Sequence, residues 1–370
     1  MTVTPARRSR RHVRAVAALC GVVLLASACG SDDGDDAASA APPAEAEASS
    51  ARTLAGTVNL GFFPNVTHAP ALVGMEQGLF ADALGGGVEL NPFTFNAGTE
   101  AIEALFAGAI DLTFIGPNPA INAYAQSNGE AIRIVSGTTS GGAYFVVKPE
   151  ITAPDQLAGR TIATPSLGNT QDVALRAWLA DQGLETTLEG GGDVTILPQS
   201  NATSLESFVA GSIDGAWVPE PWATRLILEG KGTVLVDERD LWTETSGEYV
   251  TTHLIARTEF LEEHPDLVRA IIEGLGGAID AIAADPEQAQ ADVIAQIESI
   301  TGQSPAPEVI ATSFGNLTFT LDPIAASLAG SAADAEAVGL LEPVDLGGIY
   351  DLSLLNELVV ARGGNPIGAL

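Results

Sequence analysis

The chain has 370 residues, 46% of them apolar, with 40 glycines and 21 prolines, enough for more than one hydrophobic core and many turns. Its 47 acidic residues stand against 16 basic ones, a formal charge of −31, which argues against electrostatic binding to nucleic acid or an anionic membrane surface. The two cysteines, Cys20 and Cys29, lie near the start, so the body is expected to hold no disulfide, zinc site or thiol nucleophile.

Residues 1–28 read as an export signal, with Arg7, Arg8, Arg10, Arg11 and Arg14, an apolar run from Val13 to Ala26, and small residues before Cys29. The run is too short for an ordinary membrane-spanning helix. Ala26-Ser27-Ala28-Cys29 resembles a lipobox, which implies lipidation of Cys29. Residues 29–55 are mostly Ser, Asp, Ala, Pro and Glu and are expected to be a tether, because they cannot bury enough apolar surface to order themselves.

Beyond the tether, strands alternate with helices. Strands are expected at Thr57–Phe62, Val88–Phe95, Ile110–Ile115 and Ile132–Gly137, with helices near Ala69–Gln77 and Glu100–Ala107 and another after Pro119. Ala143–Lys148 reads as a crossing strand. The pattern restarts with strands at Arg160–Ala163, Val194–Leu197 and Val234–Val236, a helix at Asp172–Asp181, and a capping-box spacing at Thr203 to Glu206. Tyr249–Arg257 is β-forming and is expected to cross back. The remainder is helical, near Asp266–Ala284, Pro286–Thr301, Pro307–Phe314, Asp322–Val338 and Ser353–Ala361, and is expected to wrap the first lobe.

The architecture read from this order is α/β, two lobes with a hinge and a cleft. The first lobe takes residues 56–147 and 250–370, the second 148–249. One phrase supports the duplication: Ala107-Gly108-Ala109-Ile110-Asp111 returns as Ala210-Gly211-Ser212-Ile213-Asp214, an offset of 103 that sets Trp217 on Phe114. After it, Pro219 and Pro221 bracket Glu220 and are expected to present Trp217, Glu220 and Trp222 on a rigid turn.

Ligands of open α/β sheets sit beyond the carboxyl ends of the strands, which nominates the loops 63–68, 96–99, 116–119, 138–142, 164–171, 198–203 and 217–222. Within them the candidate ligand contacts are Phe63, Asn65, Thr67, His68, Gly98, Thr99, Asn118, Thr138, Ser140, Ser166, Asn169, Thr170, Gln171, Trp217 and Glu220. Glu220 is the only acidic side chain and no Lys or Arg occurs, so a compact anion would rest on helix N-termini and neutral donors, with Glu220 meeting an ammonium group. Capping is the commonest task of such Ser, Thr and Asn residues; their convergence singles them out. An enzyme is not expected: Gly-x-Ser-x-Gly is absent, His68, His253 and His264 lack metal-ligand spacing, and the glycine runs at 85–87 and 190–192 lack a P-loop lysine. No metal or other cofactor is expected.

Several motifs together resemble the solute-binding lipoproteins of ABC importers for nitrate, aliphatic sulfonates and taurine. They are GFFPNVTHAPALVG from Gly61, FNAGTEAIEALFAGAID from Phe95, GPNPA from Gly116, PSLGNTQDVAL from Pro165 and GSIDGAWVPEPW from Gly211. The resemblance covers about residues 57–370. It implies the periplasmic-binding-protein type II fold, closure on a small anion or zwitterion, and delivery to a membrane permease with its cytoplasmic ATPase by a lipid-anchored monomer on the outer face of the cytoplasmic membrane. In the sulfonate and taurine members the closing turn reads Trp-Asp-Pro or Trp-Glu-Pro, whereas here Val218 and Pro219 separate Trp217 from Glu220. The nitrate members place a lysine near the anion, which these loops lack, so a sulfonate or taurine is the expected ligand. Nitrate, a thiamine-precursor pyrimidine, a ligand-sensing role and a related pyrimidine synthase are the alternatives.

Overall fold

The computed structural model describes residues 54–370; the expected signal, Cys29 and most of the tether lie outside them. The described residues open on a strand whose last three positions are all buried, and Gly or Pro punctuates most changes of element. The order is β1 (Gly56–Phe62), α1 (Ala69–Glu76), α2 (Leu79–Leu84), β2 (Val88–Thr94), α3 (Gly98–Phe106), β3 (Leu112–Ile115), α4 (Pro117–Gln126) and β4 (Ile132–Gly141). There follow β5 (Ala143–Val147), β6 (Thr161–Thr164), α5 (Thr170–Asp181), β7 (Thr195–Pro198), α6 (Asn201–Val209), β8 (Gly215–Pro219), α7 (Trp222–Leu228) and β9 (Thr233–Asp237). The last part holds β10 (Val250–Arg257), α8 (Thr258–Glu263), α9 (Pro265–Ala284), α10 (Pro286–Thr301), α11 (Pro307–Gly315), β11 (Leu317–Phe319), α12 (Ala325–Ala337) and α13 (Ser353–Ala361).

These strands form two sheets, ordered β11-β4-β10-β3-β1-β2 and β7-β6-β8-β5-β9. The two share one plan. In each, a first strand pairs in parallel with the next two (β1 with β2 and β3, β6 with β7 and β8), and a strand arriving from the other half pairs antiparallel on the far side (β10 on β3, β5 on β8). The sheets are therefore mixed rather than purely parallel, because β5 and β10 enter by crossing between lobes. The 103-residue echo extends through whole helices: α3 spans 98–106 and α6 spans 201–209.

Four local expectations are corrected. Thr138–Gly141 continues β4 instead of looping, since β10 and β11 pair with it on either side and β-branched Thr suits a sheet. The helix expected to open at Thr203 opens at Asn201, where Ser200 Oγ accepts from the Thr203 N–H at 3.3 Å. Trp222 starts α7 rather than ending a turn. Ala143–Val147 hydrogen-bonds within the second sheet, so the chain crosses at Gly141-Gly142, both at positive φ. Gly142, at φ +75°, holds a backbone conformation that L side chains rarely adopt, which favours glycine at this crossing.

The main core joins β1, α1 and α2 to the carboxyl-terminal helices through Leu60, Phe62, Leu72, Phe80, Ile271, Leu275 and Val293. These helices cover the first sheet as expected, and α11 and α12 also pack on α7 and α5 of the second lobe. The second lobe has its own aromatic centre, where Trp217 stacks on Phe145 at 5.4 Å and meets Trp178 edge-on at 6.2 Å. Among the described residues no helix is long and apolar enough to cross a membrane.

Candidate functional site

Between the lobes lies a cavity of about 40 Å³, room for a compact ligand only. Equivalent points of the duplicated plan line it. From the first lobe come Phe63 after β1, Gly98 at the start of α3, and Gly116 after β3; from the second, Pro165 after β6, Asn201 at the start of α6, and Pro219 ending β8. Thr170 and Gln171 open α5 on the second side, and Asn65, Thr67 and His68 form the turn before α1 on the first. The N-termini of α3, α5 and α6 thus meet at one cavity and bring unpaired N–H groups and positive helix-dipole ends to it.

No Lys, Arg, Asp or Glu is among the lining residues. His68, the one titratable side chain there, is pushed down to about 3 by burial and is a neutral imidazole at ordinary pH. The Phe63 N–H donates to its Nδ1 at 3.4 Å and the two rings stack at 4.6 Å. A neutral ring that accepts at Nδ1 carries its proton on Nε2, so His68 serves as a neutral donor. Neutral donors around a cavity favour an anion without forming a permanent ion pair with it.

The second-lobe wall is braced by a buried pair. Asp172 and Arg176, one turn apart on α5, meet at 2.9 Å. Asp172 also accepts from Thr164 Oγ1 at 2.8 Å and from the Gly168 N–H at 2.9 Å. This network holds the loop from Pro165 to Asn169 against the end of β6 and keeps the buried guanidinium out of the lining.

Bonds between the lobes frame the cavity. Trp222 Nε1 donates to Asn65 Oδ1 at 2.9 Å, and Asn122 Nδ2 donates to the Gly168 carbonyl at 3.4 Å. Glu220 is fully buried and accepts four hydrogen bonds: from the Thr224 N–H (3.1 Å), Thr224 Oγ1 (2.8 Å), Ser313 Oγ (3.1 Å) and Asn316 Nδ2 (2.7 Å). Ser313 and Asn316 belong to the first lobe, so this carboxylate anchors one lobe on the other. Burial raises its pKa, against the lowering effect of Asn316, Thr224 and Ser313.

Of the sequence candidates, Phe63, Asn65, Thr67, His68, Gly98, Asn169, Thr170 and Gln171 come together around the cavity. The others lie elsewhere. Thr99 is exposed, Asn118 donates to the Ser331 carbonyl at 3.1 Å, and Thr138 donates to the Thr252 carbonyl at 2.8 Å. Ser140 Oγ accepts from the Tyr249 N–H at 3.3 Å, and Ser166 is half-buried beside the lining. Trp217 sits in the second-lobe core, its indole N–H donating to Glu238 at 2.7 Å. Glu220 is the interlobe anchor just described. Thr251 and Thr252 also reach the cavity, from β10, and carry no loop signal because they belong to a strand. Asn201 lies within the nominated loop 198–203 and lines the cavity too. Among the described residues no group of three His, Cys, Asp or Glu side chains is placed to hold a metal.

The sequence profile of the NMT1-like family matches residues 55–299. The chain is 27% identical over 282 residues to the taurine-binding periplasmic protein of Escherichia coli K12, an overlap of 75% of this chain and 83% of that one. It is 24% identical over 253 residues to the bicarbonate-binding protein CmpA of a Synechococcus species, covering 59% and 52% of the two. In fold it is similar to the nitrate-binding protein NrtA of Synechocystis PCC 6803, with a TM-score of 0.69 at 16% identity, covering 83% and 89%. It is likewise similar to the alkanesulfonate-binding protein SsuA of Xanthomonas axonopodis, with a TM-score of 0.63 at 20% identity, covering 78% and 94%.

Proposed function

The chain belongs to the NMT1-like family, and from that premise we propose that it is the extracytoplasmic solute-binding component of an ABC importer, capturing a small sulfonate-type anion or zwitterion. The observation that carries this reading is the cavity itself: helix N-termini from both lobes and the neutral His68 converge on it, and its lining has no fixed charge. Such a cage suits a compact anion and releases it on opening, since no ion pair has to be broken. The relatedness to a taurine-binding periplasmic protein supports the sulfonate class. Nitrate or bicarbonate, which fit a small cavity, are the second reading, supported by the bicarbonate-binding relative.

In this proposal Phe63, Asn65, Thr67, His68, Gly98, Asn169, Thr170 and Gln171 contact the ligand, and Glu220 and Trp222 set the geometry of the closed lobes. The body, residues 56–370, works as a monomer tethered through lipidated Cys29 at the outer face of the cytoplasmic membrane and delivers its ligand to a permease and its ATPase. Thermal-shift screening with taurine, aliphatic sulfonates, nitrate, bicarbonate and thiamine-precursor pyrimidines tests the ligand class. A ligand present at a hundred times its Kd stabilises the folded state by about 2.7 kcal/mol, a shift of several degrees. Absence of a shift with every sulfonated compound would refute the sulfonate reading.

A further inference from the structure

Asn201 is the first residue of α6, lines the cavity, and is 8% exposed. Its Oδ1 is buried and has no hydrogen-bond partner. Buried polar atoms are nearly always paired, and one that is unpaired at a cavity is available to what fills it. The duplicated plan sharpens the contrast. The equivalent position in the first lobe is Gly98, where a Cβ would lie 2.4 Å from Pro119 Cγ, so that lobe presents bare backbone and Asn201 presents an amide.

Two further unpaired atoms lie nearby in the fold. Ser166 Oγ and Gln199 Nε2 are also buried without partners, on the loops that leave β6 and β7. Those strands are parallel neighbours, and the Gln199 N–H donates to the Thr164 carbonyl at 2.8 Å. The second lobe therefore holds unused hydrogen-bonding capacity at this corner. An anion is repelled by a carbonyl oxygen; a donor is attracted to it.

The geometry points to Asn201 as the specificity residue for a ligand that carries a hydrogen-bond donor, an ammonium or hydroxyl group, close to its anionic group. This rests on the reading that the cavity holds a small anion, and it moves recognition of the donor from Glu220, whose oxygens are already engaged, to Asn201.

Calorimetric titration of wild type and Asn201→Ala with two ligand pairs tests it: taurine against ethanesulfonate, and bicarbonate against nitrate. In each pair the first member carries the donor. The wild type is expected to prefer the donor-bearing member of the pair it binds by about tenfold or more, and the variant to lose most of that preference while its affinity for the donor-free member changes by less than about threefold. The variant should fold normally, since Asn201 Oδ1 accepts no bond within the protein. Equal losses for both members, an unchanged preference, or a wild type that favours the donor-free member would overturn the inference. Expected behaviour with bicarbonate and nitrate alone would end the sulfonate reading and keep Asn201. Sulfonate binding that ignores the substitution would do the reverse, and no binding of any of the four would overturn both.

Discussion

Asp111 and Asp214 hold the same place in the two halves of the molecule. Each follows the helix of the repeated phrase, and its main-chain N–H donates to a carbonyl of the first strand of its sheet: Asp111 to Asn59 at 2.9 Å, Asp214 to Thr161 at 2.8 Å. Each carboxylate accepts the N–H of that same strand residue at 2.9 Å, and each meets an arginine, Arg257 at 3.2 Å and Arg160 at 3.1 Å. The aspartate of the repeated phrase is thus a strand clamp. Replacing either by Ala should lower stability by about 1–3 kcal/mol. The larger loss is expected at Asp111, whose side chain is 8% exposed against 27% at Asp214. Urea unfolding midpoints check this, and wild-type midpoints for both variants would contradict it.

His68 makes stability depend on pH. Its folded pKa is lowered to about 3 by burial, against 6.5 for the free side chain. Below 6.5 the unfolded chain binds the extra proton, so the stabilisation present above 6.5 is lost progressively as pH falls towards 3. His68→Gln should flatten this part of the profile. It should also weaken ligand binding about tenfold or more by altering a donor in the lining. Parallel thermal melts between pH 4 and 7 settle the first point, and an unchanged slope would count against a buried neutral ring.

Glu238 acts with the opposite slope. Burial raises its pKa from 4.5 to about 7, and the Trp217 indole N–H opposes the rise. Between those values the folded protein holds the proton and the unfolded chain does not, so stability falls as pH climbs from about 4.5 to 7. Glu238→Gln mimics the protonated form. It should be near neutral at pH 5 and gain on wild type by on the order of 1–3 kcal/mol at pH 8. A constant difference across that range would disprove the assignment.

Glu220 and Asn316 should be energetically coupled across the lobes. Glu220→Ala strands Thr224, Ser313 and Asn316 and is expected to cost about 2–4 kcal/mol, whereas Glu220→Gln, close to the protonated form that burial favours, should cost less. A double-mutant cycle with Asn316→Ala should return a coupling of about 1 kcal/mol or more. Additive losses would show that the 2.7 Å contact contributes nothing to holding the lobes together.

Much of the layout was legible before the structure. Pro286–Thr301 and Ser353–Ala361 are helices with the expected bounds, because Pro suits a first turn, Gly302 ends the former, and apolar spacing marks the buried face. Eight candidate contacts converge on the cavity, because strand-to-helix junctions can be read from periodicity. The candidates that lie away from the cavity share one cause. Trp217, Thr138 and Glu220 are nominated by their neighbours in the chain, while their surroundings are set by Phe145 and Trp178, by β10, and by Ser313 and Asn316.

Composition, turn residues and the echo at 103 positions determined by themselves that this chain makes two α/β halves of one plan with a charge-poor lining, since period, propensity and formal charge are local properties. Which side chains face that cavity was decided only in three dimensions. Burial and hydrogen-bond pairing depend on residues about a hundred positions away, and they turned the one acidic candidate, Glu220, into an anchor between lobes and left Asn201 Oδ1 unpaired.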